Sequence, residues 1–224
     1  MSTPRQRVRE AMDLGIPDRV PLMCQLSIGH MLLQLKASPA DFWHDGDVFA
    51  DGLIRLHEIY DFDGILVSLH GHDPGWVAGI QSRQKLADGE EIVWKDGRRV
   101  LYLFYDLPQP MSEEQQRLSL AELSIDSLPA TLDYIPVSQG LKFKIDPEHR
   151  FDIFRRVREK IGPEYSLHGE ITSPFDYFLD LFGHQEGLLG LLNEPEKSKE
   201  ILRHFAGLVK HLALEMCEED VDAI

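Results

Sequence analysis

Residues 194–224 read EPEKSKEILRHFAGLVKHLALEMCEEDVDAI, a helix-patterned run to Glu219 that passes into Asp220-Val221-Asp222-Ala223-Ile224. The last five residues read as the opening of a buried strand. Such a strand needs a neighbour for its backbone groups and a helix over its apolar side chains. The expectation is the front part of a longer α/β protein, with some catalytic machinery on residues after 224. On its own, an unfinished sheet is expected to self-associate through its unpaired edges.

Upstream, the same strand-then-helix rhythm recurs. Thr3 followed by Pro4 marks a helix start, which Gly15 and Pro17 end. Arg19-Val20-Pro21-Leu22-Met23-Cys24 reads as a first buried strand. Ser38-Pro39 repeats the capping signal, residues 48–60 have helical apolar spacing, and Gly64-Ile65-Leu66-Val67-Ser68-Leu69 supplies a second apolar run. Asp146-Pro147 is expected to cap a helix through Lys160. Residues 166–171 read as a third strand, followed by short helices over 174–182 and 186–192 and a long one opened by Pro195.

Residues 81–145 interrupt the rhythm. Ile92-Val93-Trp94 and Val100-Leu101-Tyr102-Leu103 flank Lys95-Asp96-Gly97-Arg98, and Asp-Gly is a strong hairpin signal. Beyond it a helix is expected over 112–123. Strands alternating with helices imply parallel strands joined by right-handed crossovers, either in an open doubly wound sheet or in a (β/α)8 barrel. No Gly-rich phosphate fingerprint follows any strand, which argues against nucleotide binding.

A formal charge of −15 opposes binding to phosphate backbones or anionic membranes, whose affinity comes from Lys and Arg. Cys24 and Cys217, both in apolar surroundings, read as reduced core cysteines and suggest a reducing cytoplasm. The N-terminus has no secretory apolar core, and no stretch approaches the length of a membrane span.

Thr3-Pro4-Arg5-Gln6-Arg7-Val8 with Pro17-Asp18-Arg19-Val20-Pro21, then Asp63-Gly64-Ile65-Leu66, then Ser173-Pro174-Phe175 with Phe182-Gly183, and finally Glu194-Pro195-Glu196 running to Val221-Asp222-Ala223-Ile224, resemble the uroporphyrinogen decarboxylase superfamily. The resemblance covers nearly the whole chain except the hairpin region. It implies a (β/α)8 TIM barrel, here incomplete, over residues 1–224 with an insertion at about 81–145.

That superfamily contains decarboxylases of uroporphyrinogen and methyltransferases that move methyl groups between a corrinoid and a thiol or folate. In decarboxylases two arginines after the first strand hold the tetrapyrrole's carboxylates, and those positions here are Leu26 and His30. A polycarboxylate ligand needs fixed guanidinium groups, so the departure matters. The decarboxylase aspartate after the second strand falls near Ser68 to His70, with no Asp in register. The resemblance therefore points to the methyltransferase-like branch, with a corrinoid-carrying partner (methylcobalamin chemistry) and a zinc ion. The zinc ligands, a His and two Cys on later strands, are expected beyond residue 224; the decarboxylase reading implies no cofactor.

Within a barrel, loops after strand C-termini build the active site. His70-Gly71-His72-Asp73 is then a pocket-lining or weak metal-ligating cluster, or alternatively a core His followed by a capped turn. His168 and Glu170, two apart on a strand, share one face, where they serve as catalytic groups or as an internal His–Glu pair. Gln25 and His30 follow the first strand as ligand contacts, with a surface imidazole as the alternative for His30. Ser68 sits at the second strand's end, and the family's ligand-contacting tyrosine falls nearest Asp180, with Tyr177 one turn earlier. Asp176 reads as a first-turn acid, and the acidic runs at 113–114 and 218–220 as solvated faces. The hairpin aromatics Trp94, Tyr102, Phe104 and Tyr105 read as a packing surface or a lid.

Methyl transfer is the leading expectation, uroporphyrinogen decarboxylation the second, and a non-catalytic tetrapyrrole-binding protein the rival from another class. A homodimer is a further expectation carried by the family.

Overall fold

The computed structural model describes residues 2–111 and 119–224. Its centre is a short parallel arc. Strands β1 (Gly64–Val67) and β8 (Ser166–Gly169) pair in parallel from Gly64↔Ser166 to Val67↔Gly169. On the other side of β8, Ala223 pairs in parallel with His168, with Asp222 N donating to Leu167 O at 2.7 Å and Gly169 N to Ala223 O at 2.9 Å. Residues 220–224 therefore lie in strand position, though a single bridge replaces the expected strand. The described strands form an open arc, not a closed barrel.

Residues 19–24 run beside the start of β1 without forming the expected strand. Pro21 has no N–H to give a ladder. The segment is held instead by Asp63, which is fully buried: its carboxylate accepts from Leu22 N at 2.7 Å, from Arg19 at 2.8 and 2.9 Å, and from Arg7, while Asp63 N donates to Leu22 O at 2.7 Å. The second strand ends at Val67 and the third at Gly169, each shorter than the apolar runs that announce them.

Alternation along the arc separates two faces. Ile65, Val67, Leu69 and Leu167 are buried in the core. At Gly169, on that face, a Cβ would meet Met216 and Phe154, so only glycine lets the helices approach the strand this closely. Leu66, Ser68, His168 and Glu170 point to the opposite face and are half-buried.

The helices begin where their caps stand. Thr3 and Gln6 form a reciprocal capping box at α1 (Pro4–Met12), Ser27 caps α2 (Ile28–Leu35), Ser38 caps α3 (Pro39–His44) and Asp45 caps α4 (Gly46–Tyr60). α5 (Asp152–Ile161) starts six residues after the expected cap at Asp146, because residues 146–151 form turns. The two short helices expected after Ser173 are one element, α6 (Pro174–Asn193), bent where Gly183 adopts φ 78°. α7 (Pro195–Met216) follows directly.

Between β1 and β8 stand two antiparallel units. β2 (Ile80–Lys85), β3 (Gly89–Trp94), β4 (Arg99–Leu103) and β5 (Gln109–Pro110) form a meander, and the β3–β4 turn uses Gly97 at φ 89°. β6 (Tyr134–Val137) and β7 (Leu141–Lys144) form a second hairpin that the sequence reading did not anticipate. Of the helix expected over 112–123, residues 112–118 lie outside the described residues, as does the acidic pair Glu113-Glu114; residues 120–122 form a turn. No helix among the described residues is long and apolar enough to cross a membrane.

Candidate functional site

The open face of the arc carries the candidate site. Gln25, beyond the first segment, donates from Nε2 to Glu170 Oε1 at 2.5 Å, joining residues 145 positions apart. Glu170 continues the β8 ladder by donating its N–H to Val67 O at 3.0 Å, which sets it beside Ser68. Its second oxygen, Oε2, is buried without a hydrogen-bond partner among the described residues. Burial raises the Glu170 pKa above the usual carboxylate value, and the Gln25 N–H opposes that rise. A half-buried carboxyl with one satisfied and one unsatisfied oxygen can exchange a proton with a bound molecule.

His168 lies on the same face, two residues earlier. Its Nε2 sits 3.0 Å from Ser166 Oγ, and Ser166 Oγ in turn donates to Asp222 Oδ2 at 3.5 Å. Burial lowers the His168 pKa, against the field of Asp222. The serine lies between the imidazole and the carboxylate, whereas a nucleophilic triad needs the imidazole in the middle. This trio therefore positions His168 and does not activate Ser166. Asp222 is occupied elsewhere too, by Leu167 N, Arg5 and Arg158.

His70 and His72 do not reach this face. His70, 1% exposed, lies 5.9 Å from Phe151 and 6.2 Å from Phe154. His72, 7% exposed, lies 4.8 Å from Phe143 and 5.5 Å from Phe49. Neither ring has a hydrogen-bond partner among the described residues, and burial pushes their pKa values down to about 4 and about 3. Both are neutral core imidazoles. His72 also edges a cavity of about 110 Å³ between the starts of α4 and α5. Asp73 caps the turn, accepting from Gly75 N at 2.7 Å and pairing with Lys144.

The remaining expected contacts are also structural in their surroundings. His30 Nε2 meets Tyr60 Oη at 2.7 Å, tying α2 to α4. Tyr177 is fully buried, stacks on Phe205 and donates to Tyr134 O at 3.1 Å. Asp180 accepts from Tyr134 Oη at 2.9 Å and pairs with Lys142 at 2.9 Å, fastening β6–β7 to α6. Gln25, Ser68, His168 and Glu170 are thus gathered, while His30, His70, His72, Tyr177 and Asp180 are dispersed. Cys24 and Cys217, expected in the core, are both exposed.

His44 carries no local motif that marks it in the sequence as a site residue. His44 at the end of α3 stacks on Trp76, with ring centroids 4.8 Å apart, and shares a 2.6 Å contact with Tyr102 Oη. Burial pushes its pKa down to about 3. The local sequence Phe42-Trp43-His44 signals only aromatic packing around the imidazole. Trp94 and Tyr102 belong to this cluster, so those hairpin aromatics pack against the body of the protein.

No group of three or more His, Cys, Asp or Glu side chains able to hold a metal ion occurs among the described residues. The donor set present does not fit zinc.

The fold is similar to that of a methyltransferase from Methanosarcina mazei, with a TM-score of 0.61 at 14% sequence identity, covering 99% of this chain and 58% of the other. The chain thus spans somewhat more than half the length of that protein. At this identity the likeness establishes the fold. No protein-family model matches the sequence, and no curated protein matches it.

Proposed function

We propose that the chain belongs to a methyl-transfer enzyme of the uroporphyrinogen decarboxylase superfamily, moving a methyl group between a corrinoid held by a partner protein and a thiol or folate acceptor. In this reading the parallel arc is part of a (β/α)8 barrel into which residues 81–145 are inserted. The fold likeness to a methyltransferase supports it. So does the scarcity of fixed cations where a polycarboxylate would sit: Leu26 is apolar and His30 is engaged with Tyr60.

The observation that carries the proposal is Glu170, with one oxygen held by Gln25 and the other buried without a partner. With a thiol acceptor, Glu170 would take the proton that the thiol sheds as its sulfur bonds the methyl carbon, while the bond between that carbon and its donor breaks with the electron pair leaving on the donor. A raised pKa makes it a better base near neutral pH than an ordinary glutamate. Gln25 holds the carboxylate in place, and Ser68 and His168 border the same surface. Zinc has no donor set among the described residues, and none of them is assigned to it.

The test is thioether formation from methylcobalamin and a thiol. Glu170→Gln is expected to lower kcat by about 10²–10⁴ while unfolding stability stays nearly constant. Gln25→Ala removes a hydrogen bond that lowers the Glu170 pKa, so the rising limb of the pH–rate profile should move to higher pH. A folded protein inert toward methyl-corrinoids, or a Glu170→Gln variant with full activity, would remove the proposal. Tight corrinoid binding without turnover would favour a non-catalytic binding role.

A further inference from the structure

Helix α7 buries one apolar stripe in the core, and a second, mixed face borders a groove. Ile201, Phe205 and Val209 are buried among the other helices and strands. On that second face Pro195, Lys199, Leu202 and Arg203 lie at three- and four-residue spacing; Pro195, Lys199 and Arg203 are exposed, and Leu202 is half-buried against the edge of the core. With Phe175 from the first turn of α6 and Leu191 from its end, this face bounds an open groove of about 480 Å³. That volume falls within the range of small-molecule sites.

The walls are apolar, and the polar side chains at the groove are mainly two cations one helical turn apart. The chain has 38 acids against 23 bases, and Arg155, Arg156 and Arg158 of α5 are each paired with a carboxylate. Lys199 and Arg203 have no ion-pair or hydrogen-bond partner among the described residues. Two unpaired cations beside an apolar trough complement a molecule that is apolar along its length and anionic at one end. A carboxylate suits the spacing, since guanidinium and ammonium groups at i and i+4 can both donate to it.

We propose that this groove binds an apolar chain ending in a carboxylate, with the chain on Phe175, Leu191, Pro195 and Leu202 and the carboxylate between Lys199 and Arg203. Gln25, Ser68, His168 and Glu170 are not among the groove's lining residues, and the proposal does not depend on methyl transfer.

Amide NMR titration of the protein with decanoate, kept below its micelle concentration, tests this. Saturable shifts are expected on residues 173–175 and 191–206. The surface double variant Lys199→Glu/Arg203→Glu should weaken decanoate binding by about tenfold or more. It should also respond to decylammonium, which leaves the unsubstituted protein unshifted. Decanoate affinity unchanged in the double variant would overturn the proposal, as would decanol binding equally well. Shifts centred on the exposed Leu14, Ile16 and Val20, or no saturation, would likewise contradict it.

Discussion

Glu170 and His72 follow neighbouring parallel strands, the first half-buried and the second buried, and both have polar atoms without partners among the described residues. Their surroundings nevertheless differ in kind. Glu170 stands on the face of the arc away from the packed helices, where one hydrogen bond from Gln25 fixes it and its remaining oxygen has no partner among the described residues. His72 has turned into the junction of α4 and α5, between Phe49 and Phe143. A polar residue at a strand end becomes a reactive group only if the next turn leaves it on the open face. The Gly71 turn, at φ 81°, carries His72 the other way, and a Cβ there would strike Ile145.

The arc should be the more fragile partner in this comparison where it depends on charge. Asp63→Ala strips two guanidinium groups and the Leu22 N–H of their common acceptor. We expect a loss of about 3–5 kcal/mol in denaturant unfolding, as for a buried ion pair broken on one side. Residues 19–24 should lose hydrogen-exchange protection first. A cost below about 1 kcal/mol would mean that this segment does not depend on Asp63.

Acid should attack the other region. His44, His70 and His72 have folded pKa values depressed below the ordinary 6.5. The unfolded chain therefore binds protons that the folded chain refuses. Their contribution is fully present above pH 6.5 and is lost as pH falls toward 4, at about 1.4 kcal/mol per pH unit for each histidine. Since a domain of this kind has about 5–15 kcal/mol in total, the fold should give way within that window before these rings titrate in place. His72→Phe, with the neighbouring cavity of about 110 Å³ to take the added volume, should flatten the pH dependence and leave Glu170 chemistry intact. An unchanged acid midpoint would contradict the burial of His72.

A smaller effect is expected at the hairpin between the two regions. Tyr134→Phe deletes the hydroxyl that donates to Asp180, leaving Lys142 as that carboxylate's cation. The expected cost is about 1.5–3 kcal/mol, as for a hydrogen bond to a charged group. Faster hydrogen exchange should be confined to β6–β7; exchange spreading equally into β1–β8 would show that the hairpin is not a separate unit.

The legible parts of the sequence were those governed by local chemistry. Thr3-Pro4, Ser38-Pro39 and Ser173-Pro174 start helices because a cap side chain and a preset φ act within one turn. Asp96-Gly97 makes its hairpin turn for the same kind of reason. The pairing of Gln25 with Glu170 was within reach only through the expectation that both strand ends share one mouth. Residues 19–24 misled because an apolar run does not report a missing N–H at Pro21. The hairpin β6–β7 was missed although Leu141-Lys142-Phe143-Lys144 alternates buried and exposed, since Pro136 and the surrounding turn residues hid its partner. For His70 and His72, no local pattern distinguishes a pocket from an aromatic core. That choice is made by Phe143, Phe151 and Phe154, which come from elements far along the chain.

The most direct measurement is an NMR titration of carboxyl and imidazole carbons in the labelled protein between pH 7.5 and the onset of acid unfolding. Glu170 should titrate above the ordinary glutamate value, while the His70 and His72 rings stay neutral for as long as the fold persists. An ordinary or depressed Glu170, or either imidazole protonating near pH 6.5 in the folded protein, would show that the reactive and the sealed regions have been assigned the wrong way round.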